Sequence, residues 1–288
     1  MISGVGRSSA PIGVFDSGLG GLTVLRALNA HLPAEDLIYF GDTARVPYGT
    51  KGEKTVRSFA CQDSGLLVSQ GVKMVVVACN TASAFALEYL REILPVPVIG
   101  VINPGVRAAL AVTGGGPIGV IGTAGTIRSQ KYQAGLLAGG LSNAQIISQE
   151  CPLFVPLVEE GMQEHQITSL AVAEYLSPLK DAGVDTLILG CTHYPLLAEQ
   201  IGAFMGPDVK LVDSAESLAN AAQTMLREHD LLRAQGASDT RGNLSFLLSD
   251  IPWKFKEIGA RFLGMPLENM QTVGLDQMEA AGRVFDPS

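Results

Sequence analysis

Short apolar runs alternate along this chain with longer amphipathic stretches rich in Ala and Leu. The short runs are rich in β-branched residues and end at glycine or polar residues, as buried strands of a parallel sheet do. They predict strands at 12–15, 37–40, 74–78, 98–101, 118–121, 145–148, 186–189 and 210–212. The longer stretches predict helices at 22–30, 54–70, 83–94, 127–137, 169–182 and 196–205. This alternation predicts an α/β fold with mostly parallel sheets flanked by helices.

Two halves of the pattern are similar to each other. Positions 11–17 (PIGVFDS) match positions 117–123 (PIGVIGT), and the run from Gly71 to Cys79 matches the run from Gly183 to Cys191. Self-similarity of this kind is typical of a duplicated unit. We therefore expect two pseudosymmetric α/β domains.

The domain limits follow from where the two copies end. The motif Asn103-Pro104-Gly105 is expected to mark the crossing from the first copy to the second, which ends near residue 212. After that point the pattern predicts a helix at 216–229, a polar loop at 235–241, a strand and a helix within 244–262, and a loose tail after about 273. We expect this remainder to complete the first domain. The predicted limits are 1–102 plus 213–288 for the first domain and 103–212 for the second.

Composition and charge narrow the class of protein. Hydrophobic residues make up 47% of the 288 residues and charged residues only 17%, which fits a compact globular protein. A formal net charge of −8 without a basic block argues against nucleic acid or an anionic membrane as a partner. No apolar run approaches the roughly 20 residues of a membrane span, and residues 1–10 hold no signal core. With cysteines that lack a close-spaced disulfide framework, these features predict a cytoplasmic protein.

Two cysteines lie at matching places, each at the end of a predicted strand. Cys79 follows the strand at 74–78, and Cys191 follows the strand at 186–189. Ligands of open α/β sheets bind beyond the carboxyl ends of the strands, and a helix start there stabilises a thiolate, as a cysteine base requires. Two such thiols aimed at one small molecule from opposite sides are what a racemase needs. Taken alone, either cysteine could instead be a small buried core residue.

Other polar residues follow the same strand ends. The loop at 16–21 offers backbone amides to an anion, with a carboxylate at Asp16 and a hydroxyl at Ser17, although a helix N-cap with a glycine turn explains the same residues. His193 can tune the Cys191 thiol, act as a general acid or bind a carboxylate. Because no second Cys or His pair accompanies Cys191 and His193, we expect no metal site.

Several further residues have a structural interpretation. Trp253 and Phe255 are predicted to pack in a core. Glu159 and Glu160 fit the solvent-exposed start of a helix, and the segment at 47–49 fits a type I or II turn. Two more cysteines have no repeat relation to each other and are predicted to be structural: Cys61 and Cys151.

Five segments carry a resemblance to a known family. They are FDSGLGGLTVL at 15–25, RVPYG at 45–49, ACNTAS at 78–83, PLFVPLVEEG at 152–161 and GCTHYPLL at 190–197. In this order they closely resemble the cofactor-independent glutamate racemases of bacterial peptidoglycan synthesis. The resemblance implies two pseudosymmetric domains with the active site at their interface, and interconversion of L-glutamate and D-glutamate without a cofactor. It also implies a cytoplasmic enzyme of cell-wall biogenesis and cell shape, with glutamate and a second copy of the chain, in a homodimer, as partners.

The same resemblance assigns roles to residues. Cys79 would exchange a proton with D-glutamate, and Cys191 with L-glutamate. Asp16 would assist the first thiol, and His193 together with Glu159 the second. The substrate contacts that it implies are Asp16, Ser17, Tyr48, Gly49, Asn80, Thr81, Thr192 and His193.

Alternatives stay open at the level of the residues. An amino-acid racemase often uses pyridoxal phosphate as an electron sink, but no lysine lies in an evident cofactor motif. An aspartate racemase or a related α-carbon epimerase differs only in pocket depth, which residue spacing does not show. A cysteine hydrolase or transferase would use Cys191 with His193 as an activated nucleophile and would tolerate loss of Cys79. A two-lobed amino-acid-binding protein would need neither thiol.

Overall fold

The strands of this protein lie in two sheets in which every strand pairing is parallel. The structure, a computed structural model, describes residues 8–234 and 241–286. Most of the predicted polar loop at 235–241 and the first seven residues, 1–7, therefore fall outside the described residues. The parallel strands confirm the predicted α/β fold.

The first sheet has six strands, and strands from both ends of the chain contribute to it. They are β1 (Ile12–Asp16), β2 (Leu37–Gly41), β3 (Met74–Val77), β4 (Val98–Gly100), β9 (Leu244–Leu248) and β10 (Met270–Thr272). Their order across the sheet is β10-β9-β2-β1-β3-β4. We call this sheet and the helices packed on it the first lobe.

The second sheet has four strands, all from the middle of the chain. They are β5 (Ile118–Gly122), β6 (Ile146–Glu150), β7 (Thr186–Gly190) and β8 (Lys210–Asp213). Their order is β6-β5-β7-β8, and β5 pairs with β7 as β1 pairs with β3 in the first sheet. We call this sheet and its helices the second lobe.

Helices follow the strands and cover both sheets. Those that follow strands of the first sheet are α1 (Leu22–His31), α2 (Glu53–Ser69), α3 (Asn80–Ile93), α4 (Ile102–Val112), α11 (Phe255–Leu263) and α12 (Leu275–Arg283). Those that follow strands of the second sheet are α5 (Ala124–Arg128), α6 (Lys131–Ala138), α7 (Phe154–Glu159), α8 (Gln166–Asp181), α9 (Ala198–Met205) and α10 (Ser214–Glu228). Because both faces of each sheet are covered, a central strand such as β3 is apolar and buried throughout its length.

The C-terminal part of the chain returns to the first sheet. Strand β9 pairs with β2, with Leu244 opposite Leu37, and β10 pairs with β9. The late strand and helix expected within 244–262 are present as β9 and α11. How the rest of the chain divides between the two domains, at 102 and 213, stays a prediction.

The prediction of a loose tail after residue 273 is wrong. Helix α12 follows there and packs on α2, with Met278 fully buried and Gly282 beside it one turn later. The sequence pattern did not indicate this helix because only these two positions are buried and all the others except the half-buried Ala281 are exposed.

Two helical predictions differ from the structure for local backbone reasons. The predicted helix at 127–137 is interrupted between α5 and α6, where Gln130 has a φ of 55° in the left-handed region. Helix α4 was not predicted, because Asn103-Pro104-Gly105 has the composition of a turn. Pro104 lies in the first turn of α4, where its missing N–H costs no helical hydrogen bond.

The prediction that Trp253 and Phe255 both pack in a core is half right. Phe255 is fully buried, as expected, but Trp253 is 90% exposed. Trp253 precedes α11 in a loop, where its ring stacks over the Lys254 ammonium rather than in a core.

Candidate active site

The two cysteines at matching strand ends line one cavity between the lobes. Cys79 follows β3, and Cys191 directly follows β7. Both thiols are buried, with 6% and 7% of their surface exposed. Seven other predicted site residues line the same cavity: Ser17, Tyr48, Gly49, Asn80, Thr81, Thr192 and His193.

Cys79 forms the N-cap of α3. Its Sγ accepts a hydrogen bond from the Ala82 backbone N–H at 3.5 Å and lies 3.7 Å from the Ser17 hydroxyl oxygen. Burial raises the pKa of the Cys79 thiol to about 12, and the nearby Asp16 carboxylate adds to this rise. The Ala82 amide at the helix start lowers the pKa of this thiol, as expected, but burial outweighs this effect. Cys79 is a neutral thiol at neutral pH.

Asp16 lies behind the cavity at the end of β1 and is fully buried. Its Oδ2 accepts the Gly18 N–H at 3.0 Å, whereas its Oδ1 has no hydrogen-bond partner among the described residues. Burial raises the pKa of Asp16 above 3.8, against the opposing effects of His193 and of the Gly18 and Gly21 amides. Asp16 thus offers a buried acceptor close to the Cys79 side of the site.

Cys191 has a different neighbour, the imidazole of His193. The Cys191 Sγ lies 3.9 Å from Nδ1 of His193, and Nε2 of the same ring lies 2.9 Å from Oε1 of Glu159. Burial disfavours the charged ring, but hydrogen bonds to Cys191 and Glu159 outweigh it and raise the pKa of His193 to about 10. At neutral pH the ring is an imidazolium, which stabilises negative charge on the sulfur beside it.

Glu159 occupies a different place in its helix than expected. It is the last residue of α7, not part of a helix start, and its side chain is only 32% exposed. The chain turns after it at Gly161, which has a φ of 73°. This helix end brings the carboxylate to the outer nitrogen of His193, although Glu159 does not itself line the cavity.

Two more polar side chains that line the cavity are those of Asn80 and Thr81. The Tyr132 hydroxyl donates to Oδ1 of Asn80 at 2.7 Å, which fixes the amide and leaves Nδ2 buried without an acceptor among the described residues. The Thr81 hydroxyl lies 2.9 Å from the Thr123 hydroxyl, across the gap between the lobes. Asn80 therefore presents a donor, and Asp16 an acceptor, that the protein itself does not use.

The Tyr48 hydroxyl contacts a buried acidic cluster that was not predicted from the sequence. This hydroxyl contacts Oδ2 of Asp42 and, at 2.8 Å, Oδ2 of Asp63, while Arg45 bonds both carboxylates. Burial and the neighbouring Asp42 raise the pKa of Asp63 well above 3.8, which favours the protonated form of its carboxyl group.

Six further residues line the cavity without having been predicted: Val46, Pro47, Thr123, Thr126, Val155 and Gly190. The internal repeat contained a signal for one of them. Thr123 occupies the position in 117–123 that Ser17 occupies in 11–17, so each copy contributes a hydroxyl at the end of its first strand. The others could not be found from spacing, because the contact between lobes brings them together.

No group of three or more His, Cys, Asp or Glu side chains that could hold a metal ion occurs within residues 8–234 and 241–286. In the same part of the chain, no helix combines the length and the apolar character needed to cross a membrane.

Fold and site together define a class. Two parallel α/β lobes enclose two thiols with unlike neighbours, one beside a carboxylate and one beside an imidazolium. Such an arrangement suits a protein that moves protons to and from a small molecule held between its lobes.

Comparison with known proteins makes the assignment specific. The family model for Asp/Glu/Hydantoin racemase matches residues 12–222. A glutamate racemase of Geobacter metallireducens is 51% identical over 265 residues, which cover 92% of this chain and 97% of that protein. The chain belongs to the Asp/Glu/Hydantoin racemase family, and the resemblance seen in its motifs is confirmed.

Solved structures agree with this assignment. A Francisella tularensis glutamate racemase in complex with D-glutamate has a TM-score of 0.86 at 40% identity, covering 93% of this chain and 99% of that one. A Thermus thermophilus glutamate racemase in complex with β-chloro-D-alanine has a TM-score of 0.83 at 46% identity, covering 94% and 99%.

Proposed function

We propose that this protein interconverts L-glutamate and D-glutamate by proton transfer at the α-carbon, with Cys79 and Cys191 as the two acid–base groups and without a cofactor. The observation that carries the proposal is that both buried thiols, from matching strand ends of two lobes, line one cavity. The choice of glutamate rests on the relatives, which are named glutamate racemases over nearly the full length of the chain.

The reaction needs a base on one face of the α-carbon and an acid on the other. With L-glutamate bound, the Cys191 thiolate removes the α-proton, and the electron pair left on carbon takes a proton from the Cys79 thiol on the opposite face. The product is D-glutamate, with Cys191 now a thiol and Cys79 a thiolate. After D-glutamate leaves, Cys191 gives its proton to water and Cys79 takes one back, which restores the starting form and balances the protons of the cycle. The reverse reaction starts from the form with the Cys79 thiolate and exchanges the two roles.

The neighbours of the thiols set which one is the base in the free enzyme. His193 is protonated beside Cys191, while Cys79 is a neutral thiol with a raised pKa. The free enzyme is therefore prepared for the enantiomer whose α-proton faces Cys191. From the resemblance, we assign that enantiomer as L-glutamate.

Substrate binding is assigned to the unpaired polar groups of the site. Oδ1 of Asp16 can accept from the substrate ammonium, and Nδ2 of Asn80 can donate to a carboxylate. The hydroxyls of Ser17, Thr81 and Thr192 and the Tyr48–Gly49 segment supply the remaining contacts. In a buried cavity each of these groups interacts more strongly than it would in water, which helps to stabilise the carbanionic transition state.

The biological setting follows from the same assignment. D-Glutamate made by this reaction would supply peptidoglycan synthesis, and with it cell shape. All four cysteines are unpaired, which supports a cytoplasmic, reducing location. We further propose that the protein forms a homodimer and that its two domains comprise residues 1–102 plus 213–288 and residues 103–212. Sedimentation of the purified protein tests the dimer directly.

The experiment that tests the function follows optical activity. Purified protein is incubated separately with L-glutamate, D-glutamate, L-aspartate and D-aspartate, and the loss of circular dichroism is recorded. We expect both glutamate enantiomers to racemise to a signal of zero without added cofactor, and aspartate to react at least about 100-fold more slowly, because a positioned acid–base pair is worth that much. Racemisation of aspartate in preference to glutamate would contradict the assignment.

A further inference from the structure

His193 belongs to the second lobe, but two of its closest neighbours come from the first lobe. The Phe262 ring, near the end of α11, meets the imidazole edge to face with centroids 5.2 Å apart and planes at 80°. On another side lies Gly20, just before α1. A Cβ atom at Gly20 would lie 2.5 Å from Nδ1 of His193 and 2.1 Å from Oγ1 of Thr192, closer than real carbon contacts allow.

Further contacts between lobes surround this ring. The Thr23 hydroxyl, at the start of α1, lies within 3.3 Å of the Thr192 carbonyl oxygen. Lys254 Nζ, next to α11, lies 3.6 Å from Oε2 of Glu160. The first lobe thus touches both the Thr192–His193 segment and the end of α7 that carries Glu159.

The orientation of the ring matters because both of its nitrogens are in use. Nδ1 faces the Cys191 sulfur and Nε2 faces Glu159, so a rotation of the ring breaks both contacts together. The second lobe supplies these two polar partners. The apolar ring of Phe262 and the close approach at Gly20 restrict the ring plane from the other side.

Building on the proposed function, we infer that Gly20 and Phe262 are positioning residues that orient His193 as the partner of Cys191. The pairing of His193 with Cys191 is then maintained only while the lobes are in contact. Separation of the lobes withdraws Gly20 and Phe262 from the ring. Cys191 is therefore activated only when the lobes are in contact. The two hydrogen-bond partners of Cys79, the Ser17 hydroxyl and the Ala82 amide, belong to its own lobe, so these contacts do not need this arrangement.

A test must treat the two thiols separately. Racemisation cannot do so, because its equilibrium constant is one and kcat/KM is therefore equal in both directions. Elimination from β-chloroglutamate can, because a single base suffices. A thiolate takes the α-proton, the electron pair forms the carbon–carbon double bond and chloride leaves. The enamine then hydrolyses to α-ketoglutarate and ammonium, which are measured.

The variants are Gly20→Ala and Phe262→Leu, with Gly52→Ala as the matched control because nothing lies within 4 Å of a Cβ there. For the enantiomer facing Cys191, we expect kcat/KM of elimination to fall at least about tenfold in both variants. For the enantiomer facing Cys79, it should be unchanged or rise. The control should match wild type with both enantiomers.

Two results would overturn the inference. Equal losses with both enantiomers would show a general structural role, and no loss with either would show that His193 does not depend on the first lobe. If Gly20→Ala does not fold, Phe262→Leu decides alone, since it keeps apolar bulk while removing the ring. Wild-type protein that fails to racemise glutamate would instead contradict the proposed function itself, a result separate from these.

Discussion

At the scale of residues, the site is asymmetric although the chain is duplicated. The matching cysteines receive unlike neighbours: a carboxylate for Cys79 and an imidazolium for Cys191. Burial disfavours the charged form of both Cys79 and His193. Only for His193 do the hydrogen bonds, to Cys191 and Glu159, outweigh this effect. The repeat places the thiols, and divergence around them gives each thiol different neighbours.

The raised pKa of His193 predicts the alkaline limit of activity. We expect kcat/KM for glutamate to fall above a pH of about 10, where the imidazolium loses its proton and no longer stabilises a thiolate at Cys191. The pH profile of racemisation from pH 7 upward measures this limit. His193→Asn should remove it and lower kcat/KM, and an unchanged alkaline limit in that variant would contradict the role of His193.

Asp63 gives a prediction for stability. Its raised pKa means that, above about pH 3.8, the folded protein keeps a proton that the unfolded chain releases. Stability from this group is therefore lost as pH rises from that point through the folded pKa. Asp63→Asn, which mimics the neutral acid, should gain in free energy of unfolding relative to wild type between pH 5 and pH 8 in urea titrations.

A matched control for this prediction is Asp181→Asn, at the exposed end of α8. If the free-energy difference between Asp63→Asn and wild type does not change with pH, the proton is not on Asp63.

At the scale of elements, the sequence predicted strands better than it predicted the C-terminal helix. The run at 74–78 is buried on both faces, so every side chain in it is apolar and three of the five are β-branched. Helix α12 buries only Met278 and Gly282, which is too little for a periodic pattern. Helix α4 was not predicted because it contains Pro104. Proline breaks a helix except in the first turn, which is where Pro104 lies.

The catalytic candidates could be found for a related reason. Cys79, Cys191 and His193 lie within three residues of a strand end, so the fold class alone places them at the ligand-binding edge. Asp63 could not be found in this way. It lies within α2, and only tertiary packing brings its carboxyl group to Tyr48.

The packing of α12 on α2 is itself testable. Met278→Ala should lower the free energy of unfolding by about 2–5 kcal/mol, because it removes a fully buried side chain. Glu279→Ala, on the exposed face of the same helix, should change it by no more than about 0.5 kcal/mol. Guanidinium unfolding of the three proteins measures both, and equal effects would mean that α12 is not packed in solution.

At the scale of the whole molecule, the cavity between the lobes is too small for free entry of substrate. Its volume is about 30 Å³, enough for only a few waters. Glutamate is much larger, so the lobes must separate to admit it and then come together around it. This motion would also move Gly20 and Phe262 relative to His193.

Small-angle X-ray scattering tests this motion. We expect the radius of gyration to be larger for the free protein than for the protein saturated with glutamate, because binding holds the lobes together. Identical values in both states would contradict closure. Measurement at several protein concentrations separates closure from a change in oligomeric state.

The central claim is that two thiols act on one α-carbon from opposite faces. It is tested most directly by incubating L-glutamate in deuterated water with wild type, Cys79→Ala and Cys191→Ala, and following the α-proton by NMR. Wild type should form D-glutamate that carries deuterium at the α-carbon, and each single variant should lose racemisation by at least about 100-fold. Racemisation that persists in Cys79→Ala would contradict the two-thiol account and favour Cys191 acting alone with His193.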